Sequence, residues 1–171
     1  VSLTIEPGVV IKHDFLDFFD ILTVEGTLIA QGTSSEPIIF TDIADDDFGG
    51  DTNNDGSATS PHPADWRGIS IQASSGNSSI LAHCQFRYGG DSDLAQAAIR
   101  INGAAPLVDQ CLFFSCEKGI TIVGNASPTI SNNSFENNTA TPINISLTAN
   151  PVFSANVFIN NARNGIGIEA L

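Results

Sequence analysis

The sequence predicts an all-β solenoid of about seven coils with almost no α-helix, on three observations. Leu81-x-x-Cys84-x-Phe86, Val108-x-x-Cys111-x-Phe113, Ile130-x-x-Asn133-x-Phe135 and Phe153-x-x-Asn156-x-Phe158 share one template. A second template, Ile-x-Ile, recurs at Ile69, Ile99, Ile120, Ile143 and Ile166, with spacings of 21, 23 and 23 residues from Ile99 onward. No stretch shows a convincing helical period. Self-similarity at this interval marks stacked repeats, each burying its apolar face only against its neighbours.

The elements follow in order. Leu3-Thr4-Ile5-Glu6-Pro7-Gly8 and Leu22-Thr23-Val24-Glu25-Gly26 repeat at 19 residues and alternate apolar with polar, as strands closed by Gly or Pro turns do. The segment from Asp14 to Asp20 sets Phe15, Phe18 and Phe19 among aspartates without helix caps, and reads as a loop or edge. Leu28-Ile29-Ala30 and Pro37-Ile38-Ile39-Phe40-Thr41 add short strands around a turn from Gly32 to Glu36. From Trp66 the coils become regular. Pro106, Pro128 and Pro151 each fall two residues before the apolar residue that opens the first template, where proline fixes an extended approach and lacks a donor.

Strand alternation then assigns the inward columns: Leu81, Val108, Ile130 and Phe153; Phe86, Phe113, Phe135 and Phe158; and the two isoleucine columns. Asn133 and Asn156 are expected to form a ladder whose amides satisfy buried polar groups, since leaving one unsatisfied costs ~1–3 kcal/mol. Cys84 and Cys111 occupy the same template position on coils ~4.8 Å apart, close enough for a disulfide and equally suited to stacked buried thiols. Cys116 stays free in either case. A column repeated in every coil is core, because repetition cannot single out a catalytic position.

This combination resembles the right-handed parallel β-helix superfamily, the pectate-lyase-like fold, over nearly the whole chain. The resemblance implies a single-stranded right-handed parallel β-helix in one domain, 1–171, with a loop insertion at 42–65. Three phrases, Leu3 to Ile11, Gly49 to Gly56 and Asp65-Trp66-Arg67-Gly68-Ile69, are similar to non-catalytic β-helix modules of large secreted bacterial surface proteins.

Composition narrows the partners. The chain has 171 residues, a net charge of −13 and a pI near 4.1, so nucleic acid and anionic membranes would be repelled. No stretch reaches the apolar length of a membrane span. The chain starts at Val1 and lacks methionine, so it is expected to be a processed mature protein or a segment of a longer one, secreted or at the cell surface.

Acidity concentrates in the insertion, with seven carboxylates from Asp42 to Asp65. Asp51, Asn53, Asp55 and Gly56 reproduce the opening of a calcium loop, in which alternate side chains converge on one hard cation and the glycine permits a sharp turn. The closing glutamate is absent and His62 stands in its place, so further oxygens are expected from Asp45, Asp47 and Asp65. Calcium is the expected cofactor, offsetting repulsion among the carboxylates. The bland alternative is a solvated acidic loop.

Trp66, the only tryptophan, would stack on a sugar if exposed and anchor the loop if buried. His13, His62 and His83 are scattered without zinc spacing. The Asn-x-Asp, Asp-Asp and His-Gly signatures of polygalacturonase-like β-helices do not occur together, and the arginine candidates for lyase chemistry, Arg100 and Arg87 with Asp91 and Asp93, lack the accompanying motifs. Two readings follow: a calcium-stabilised, non-enzymatic module serving as stalk, filament subunit or adhesive surface, and a carbohydrate-active enzyme or carbohydrate-binding module. An arginine in a groove with two carboxylates would favour the enzyme. Both chain ends fall within strand patterns without a polar cap, so either further coils continue in a longer protein or subunits associate head to tail and close one another's edges, with polysaccharide as a further partner.

Overall fold

The computed structural model describes residues 1–14, 22–75, 78–90 and 96–169. Most of the aspartate- and phenylalanine-rich stretch after Asp14 lies outside them, as do Asp91 and Asp93. Among the described residues, eighteen short strands wind into six coils of three. Coils 1 and 2 contain β1 (Ser2–Ile5), β2 (Val10–His13) and β3 (Leu22–Val24), then β4 (Thr27–Gln31), β5 (Ile38–Asp42) and β6 (Ile69–Gln72). Coils 3 and 4 contain β7 (Ile80–Ala82), β8 (Cys84–Arg87) and β9 (Ile99–Asn102), then β10 (Leu107–Asp109), β11 (Leu112–Phe114) and β12 (Ile120–Val123). Coils 5 and 6 contain β13 (Thr129–Ser131), β14 (Ser134–Glu136) and β15 (Ile143–Ser146), then β16 (Val152–Ser154), β17 (Val157–Ile159) and β18 (Ile166–Glu169).

The first, second and third strands of the coils form three parallel sheets of six strands each, here called A, B and C. Among the described residues the only helical turn is a 3-10 helix at Ala73–Ser75. The count is six coils rather than seven, because the residues between β5 and β6, enough for a further coil, form an insertion. The 19-residue repeat near the start is not the structural period either. Leu3 pairs in register with Leu28 on sheet A, whereas Leu22 pairs with Ile69 on sheet C.

Register confirms the columns. Leu81, Val108, Ile130 and Phe153 align on sheet A, and the isoleucines align on sheet C. On sheet B the phenylalanine column begins one coil earlier than its template, at Phe40. Its five rings stack nearly parallel with centroids 4.7–5.3 Å apart, which is the interstrand spacing imposed by parallel pairing.

Two corners of each regular coil use a single residue in the left-handed region. Between sheets A and B these are His83, Gln110, Asn132 and Ala155, at φ of 50–55°; after sheet B they are Tyr88, Ser115, Asn137 and Asn160, at 51–62°. Such a conformation costs a non-glycine residue roughly 1–2 kcal/mol, and at every one of these corners except Tyr88, which Gly89 follows, the next, inward side chain supplies hydrogen bonds to set against it. At the first corner Asn133 donates to Val108 O at 3.0 Å, and its Oδ1 accepts from Cys111 N at 2.9 Å. Asn156 repeats the arrangement one coil on.

The second corner carries an independent ladder of Cys116, Asn138 and Asn161, in which Asn138 donates to Phe113 O and accepts from Cys116 N. All three cysteines are free, buried thiols. Each donates to the preceding coil, Cys84 to Ala30 O, Cys111 to Leu81 O and Cys116 to Phe86 O, at 3.3–3.4 Å, where an asparagine amide would donate. Cys116 therefore belongs to a column and is no leftover. Burial pushes its pKa up to about 12, while the hydrogen bond with Cys111, together with burial, raises that of Cys84.

Candidate functional site

The insertion leaves sheet B at the end of β5 and is built at first by short-range capping. Asp42 Oδ1 accepts from Ala44 N at 2.8 Å, and Asp45 N donates to Asp42 O at 3.1 Å. This turn places successive aspartates on opposite sides. Asp45 faces inward, 2% exposed, where Thr41 donates to its Oδ2 at 2.5 Å and Asp47 N donates to its Oδ1. Asp46 faces the loop, and its Oδ1 is shielded from solvent with no hydrogen-bond partner.

Carboxylate-to-backbone bonds then fold the segment from Asp51 to Thr59. Asp51 accepts from Asp55 N and Gly56 N at 3.1 and 2.9 Å; Asp55 accepts from Ala58 N and Thr59 N, each at 3.1 Å. One oxygen each from Asp46, Asp51 and Asp55 lies within 4.8 Å of the other two. Three hard oxygens converging at this spacing suit a divalent cation such as calcium.

The expected ligand set is thus partly assembled and partly redirected. Asp51 and Asp55 converge, joined by Asp46. Asn53 turns its amide nitrogen to Asp55 and Thr59, and its Oδ1 takes the Asp55 N–H. Asp47 is exposed. Asp65 accepts from His62 N and closes the far end of the insertion. Burial raises the pKa of Asp65, and burial with the negative charge of Asp65 raises that of Asp42, while backbone donors work against both shifts.

Arg87 and Trp66 fasten the insertion to the coil. The Arg87 guanidinium lies over the rings of Phe48 and Phe114, 4.8 and 4.5 Å from their centroids, a geometry that favours cation–π attraction. Its Nε is 3.7 Å from Asp45 Oδ2, and the side chain is only 13% exposed. Trp66 is 1% exposed and donates from Nε1 to Arg87 O at 2.7 Å. It is therefore the anchor, with no face left for a sugar, which corrects the carbohydrate-contact expectation. Two glycines make room for this closure. A Cβ on Gly89 would meet the Trp66 ring at 2.7 Å, and Gly68, at φ +115°, passes so close to Ala97 O that no side chain fits.

The family of right handed beta helix regions matches residues 52–171, well over half of the chain. The chain belongs to that family. No curated protein and no solved structure matches it. At a coarse level, this β-helix fold supports a structural or carbohydrate-related role.

On this β-helix the two arginines considered for lyase chemistry are placed differently. Among the described residues, Arg87 is enclosed by aromatic rings beside the carboxylate of Asp45. Arg100 lies on β9 in register between Ser70 and Thr121, with no carboxylate opposite it on either neighbouring strand. Three features escaped the sequence reading. Asp46 was hidden in a run of identical residues, and the Arg87–Phe48 contact joins positions far apart in sequence. The second ladder had left a signal, since Cys116, Asn138 and Asn161 each follow a first-ladder residue by five positions.

Proposed function

We propose that this chain is a non-catalytic β-helix module of a secreted or cell-surface protein, a rigid stalk, filament unit or binding surface stabilised by calcium. The convergence of Asp46, Asp51 and Asp55, with an oxygen of Asp46 shielded and unpaired, carries the reading. Three carboxylates at such spacing repel one another, and a cation held between them turns that repulsion into attraction. Arg87, already engaged by Asp45 and two rings, supports a locking role over a chemical one.

Thermal unfolding with calcium and with chelator tests the proposal. Calcium at a hundred times Kd adds ~2.7 kcal/mol if only the folded state binds it, so chelation is expected to lower Tm by several degrees. Asp51→Ala with Asp55→Ala removes that difference. Identical melting curves for the parent protein would leave a solvated acidic loop.

Head-to-tail association of copies is part of the same proposal. Val152, Val157, Ile159, Ile166 and Ile168 on coil 6 are 41–67% exposed, and Val1, Leu3 and Val9 are exposed on coil 1. Stacking these ends would continue all three parallel sheets and their inner columns. Light scattering over a dilution series is expected to show concentration-dependent growth that Ile168→Lys stops; a monomer at every concentration would refute it.

A further inference from the structure

The insertion is held unevenly along its length. Residues 56–60 are exposed and belong to no strand or helix, and among the described residues none of their backbone groups bonds to any of the eighteen strands. What shapes this run is Asp55. Its Oδ1 accepts from Ala58 N at 3.1 Å, and its Oδ2 accepts from Thr59 N at 3.1 Å and from Thr59 Oγ1 at 2.5 Å. Gly56, at φ +77°, has nothing within 4 Å of where a Cβ would stand. Five consecutive small residues, Gly56-Ser57-Ala58-Thr59-Ser60, thus stand clear of the coils, and Pro61 closes the run.

The chain before the run and the chain after it are joined through the coils instead. β4 pairs with β7 on sheet A, β5 with β8 on sheet B and β3 with β6 on sheet C, so one strand pairing on each sheet crosses the divide. The rings of Phe40 and Phe86 stack across it with centroids 5.0 Å apart. Asp45 and Phe48, before the run, grip Arg87, after it. A break within residues 56–60 severs the chain and leaves every one of these contacts in place.

An endopeptidase takes its substrate as an extended strand, pairing with main-chain N–H and C=O groups, and exposed loop tips of small and polar residues are preferred places for such cuts. In the folded run Ala58 N and Thr59 N are already given to Asp55, so Asp55 must let go before the run can extend. Asp55 is also one of the three carboxylates of the cation cluster. A cation bound there fixes Asp55 and opposes the extension.

We propose that residues 56–60 are a processing site for an endopeptidase that accepts small side chains, and that calcium guards it. The cut adds water across one peptide bond, leaving a carboxylate on one fragment and an ammonium group on the other. The product is a β-helix of two fragments joined only by non-covalent contacts, which load can part where it cannot part a single chain. The guard rests on the calcium reading above; the place of the cut does not.

The test is limited digestion of the intact protein with pancreatic elastase, in calcium and in chelator, read by mass spectrometry and by native gel filtration. In chelator one dominant cut within residues 56–60 is expected, with the two fragments eluting together. Calcium at a hundred times Kd should slow that cut about a hundredfold, the ratio of bound to free sites, and Asp55→Ala should be cut at the chelator rate in either condition. A first cut elsewhere, or fragments that separate without denaturant, would overturn the proposal. So would equal rates in calcium and chelator for a protein whose melting responds to calcium. Identical melting curves would instead overturn the calcium reading and the guard together, while a cut within residues 56–60 would still support the site.

Discussion

Coils 3 to 5 and the insertion between β5 and β6 are ordered by opposite means. In the coils the inward side chains of each column pack on like side chains one strand away, as in the run of rings from Phe86 to Phe135. Any one contact there is a copy of the next. The insertion has no such redundancy: Phe48, Arg87, Asp45 and Trp66 are each used once. Repetition gives a stiff stack whose stability is a sum of neighbour terms. Single-use contacts give a local unit that one substitution can release, and the candidate calcium site sits on that unit.

The largest expected effect tests the stack. Phe113→Ala removes a fully buried ring from mid-column and should cost ~3–5 kcal/mol in chemical denaturation, with the calcium response intact. Phe158, stacked on one side only and partly exposed, should cost clearly less. Equal losses at the two positions would mean that the column does not act through its neighbours.

Arg87→Met should come next, at about 3 kcal/mol, the lower end for breaking a buried ion pair, since Asp45 is left buried and unpaired. In contrast to Phe113→Ala, it should also reduce the calcium-dependent rise in Tm. Adding Asp45→Asn should recover part of the stability. A full calcium response in Arg87→Met would separate the metal site from the clamp and break the comparison.

Asn138→Ala leaves Cys116 N without its acceptor and Phe113 O without a donor, a loss of ~1–3 kcal/mol for buried unsatisfied groups. Melting should drop without any change in the calcium increment. The thiols in these ladders should resist iodoacetamide at pH 8 until denaturant is added. Cys116 has a folded pKa raised to about 12, so its contribution is complete below the unfolded value of about 8.5 and is lost as pH rises from there toward 12.

Acid titration should give the smallest effect and distinguish the two regions by sign. Burial alone would raise the folded pKa of Asp109, but donors from Ser131, Asn132 and Gln110, with His83 nearby, lower it overall, so its contribution is present above about pH 3.9 and disappears as pH falls through the folded value. Asp42 and Asp65 have raised folded values, so in the absence of metal their effect is reversed: stability is lost as pH rises from about 3.9 through the folded values. Asp42→Asn, which keeps the Oδ1 acceptor for Ala44 N, should therefore raise Tm at neutral pH in chelator, and an unchanged Tm would place that carboxylate in water.

The columns from Ile69 to Ile168 were legible in the sequence because parallel stacking places equivalent residues one above another, so chemical identity repeats with the coil. The same logic misled at the start of the chain, where Leu3 and Leu22 look alike but lie on sheets A and C. At the site, Asp51 and Asp55 were legible because they are bound to nearby backbone within one turn.

The sequence by itself thus determined the solenoid, the inner columns, the first asparagine ladder and the acidic insertion, since each is either periodic or local. Only the tertiary structure decided that Asp46 and not Asp45 faces the cluster, and that Arg87 and Trp66 clamp the insertion. Those outcomes depend on which way one turn directs adjacent side chains, and on contacts between residues that meet once and leave no repeat in the sequence.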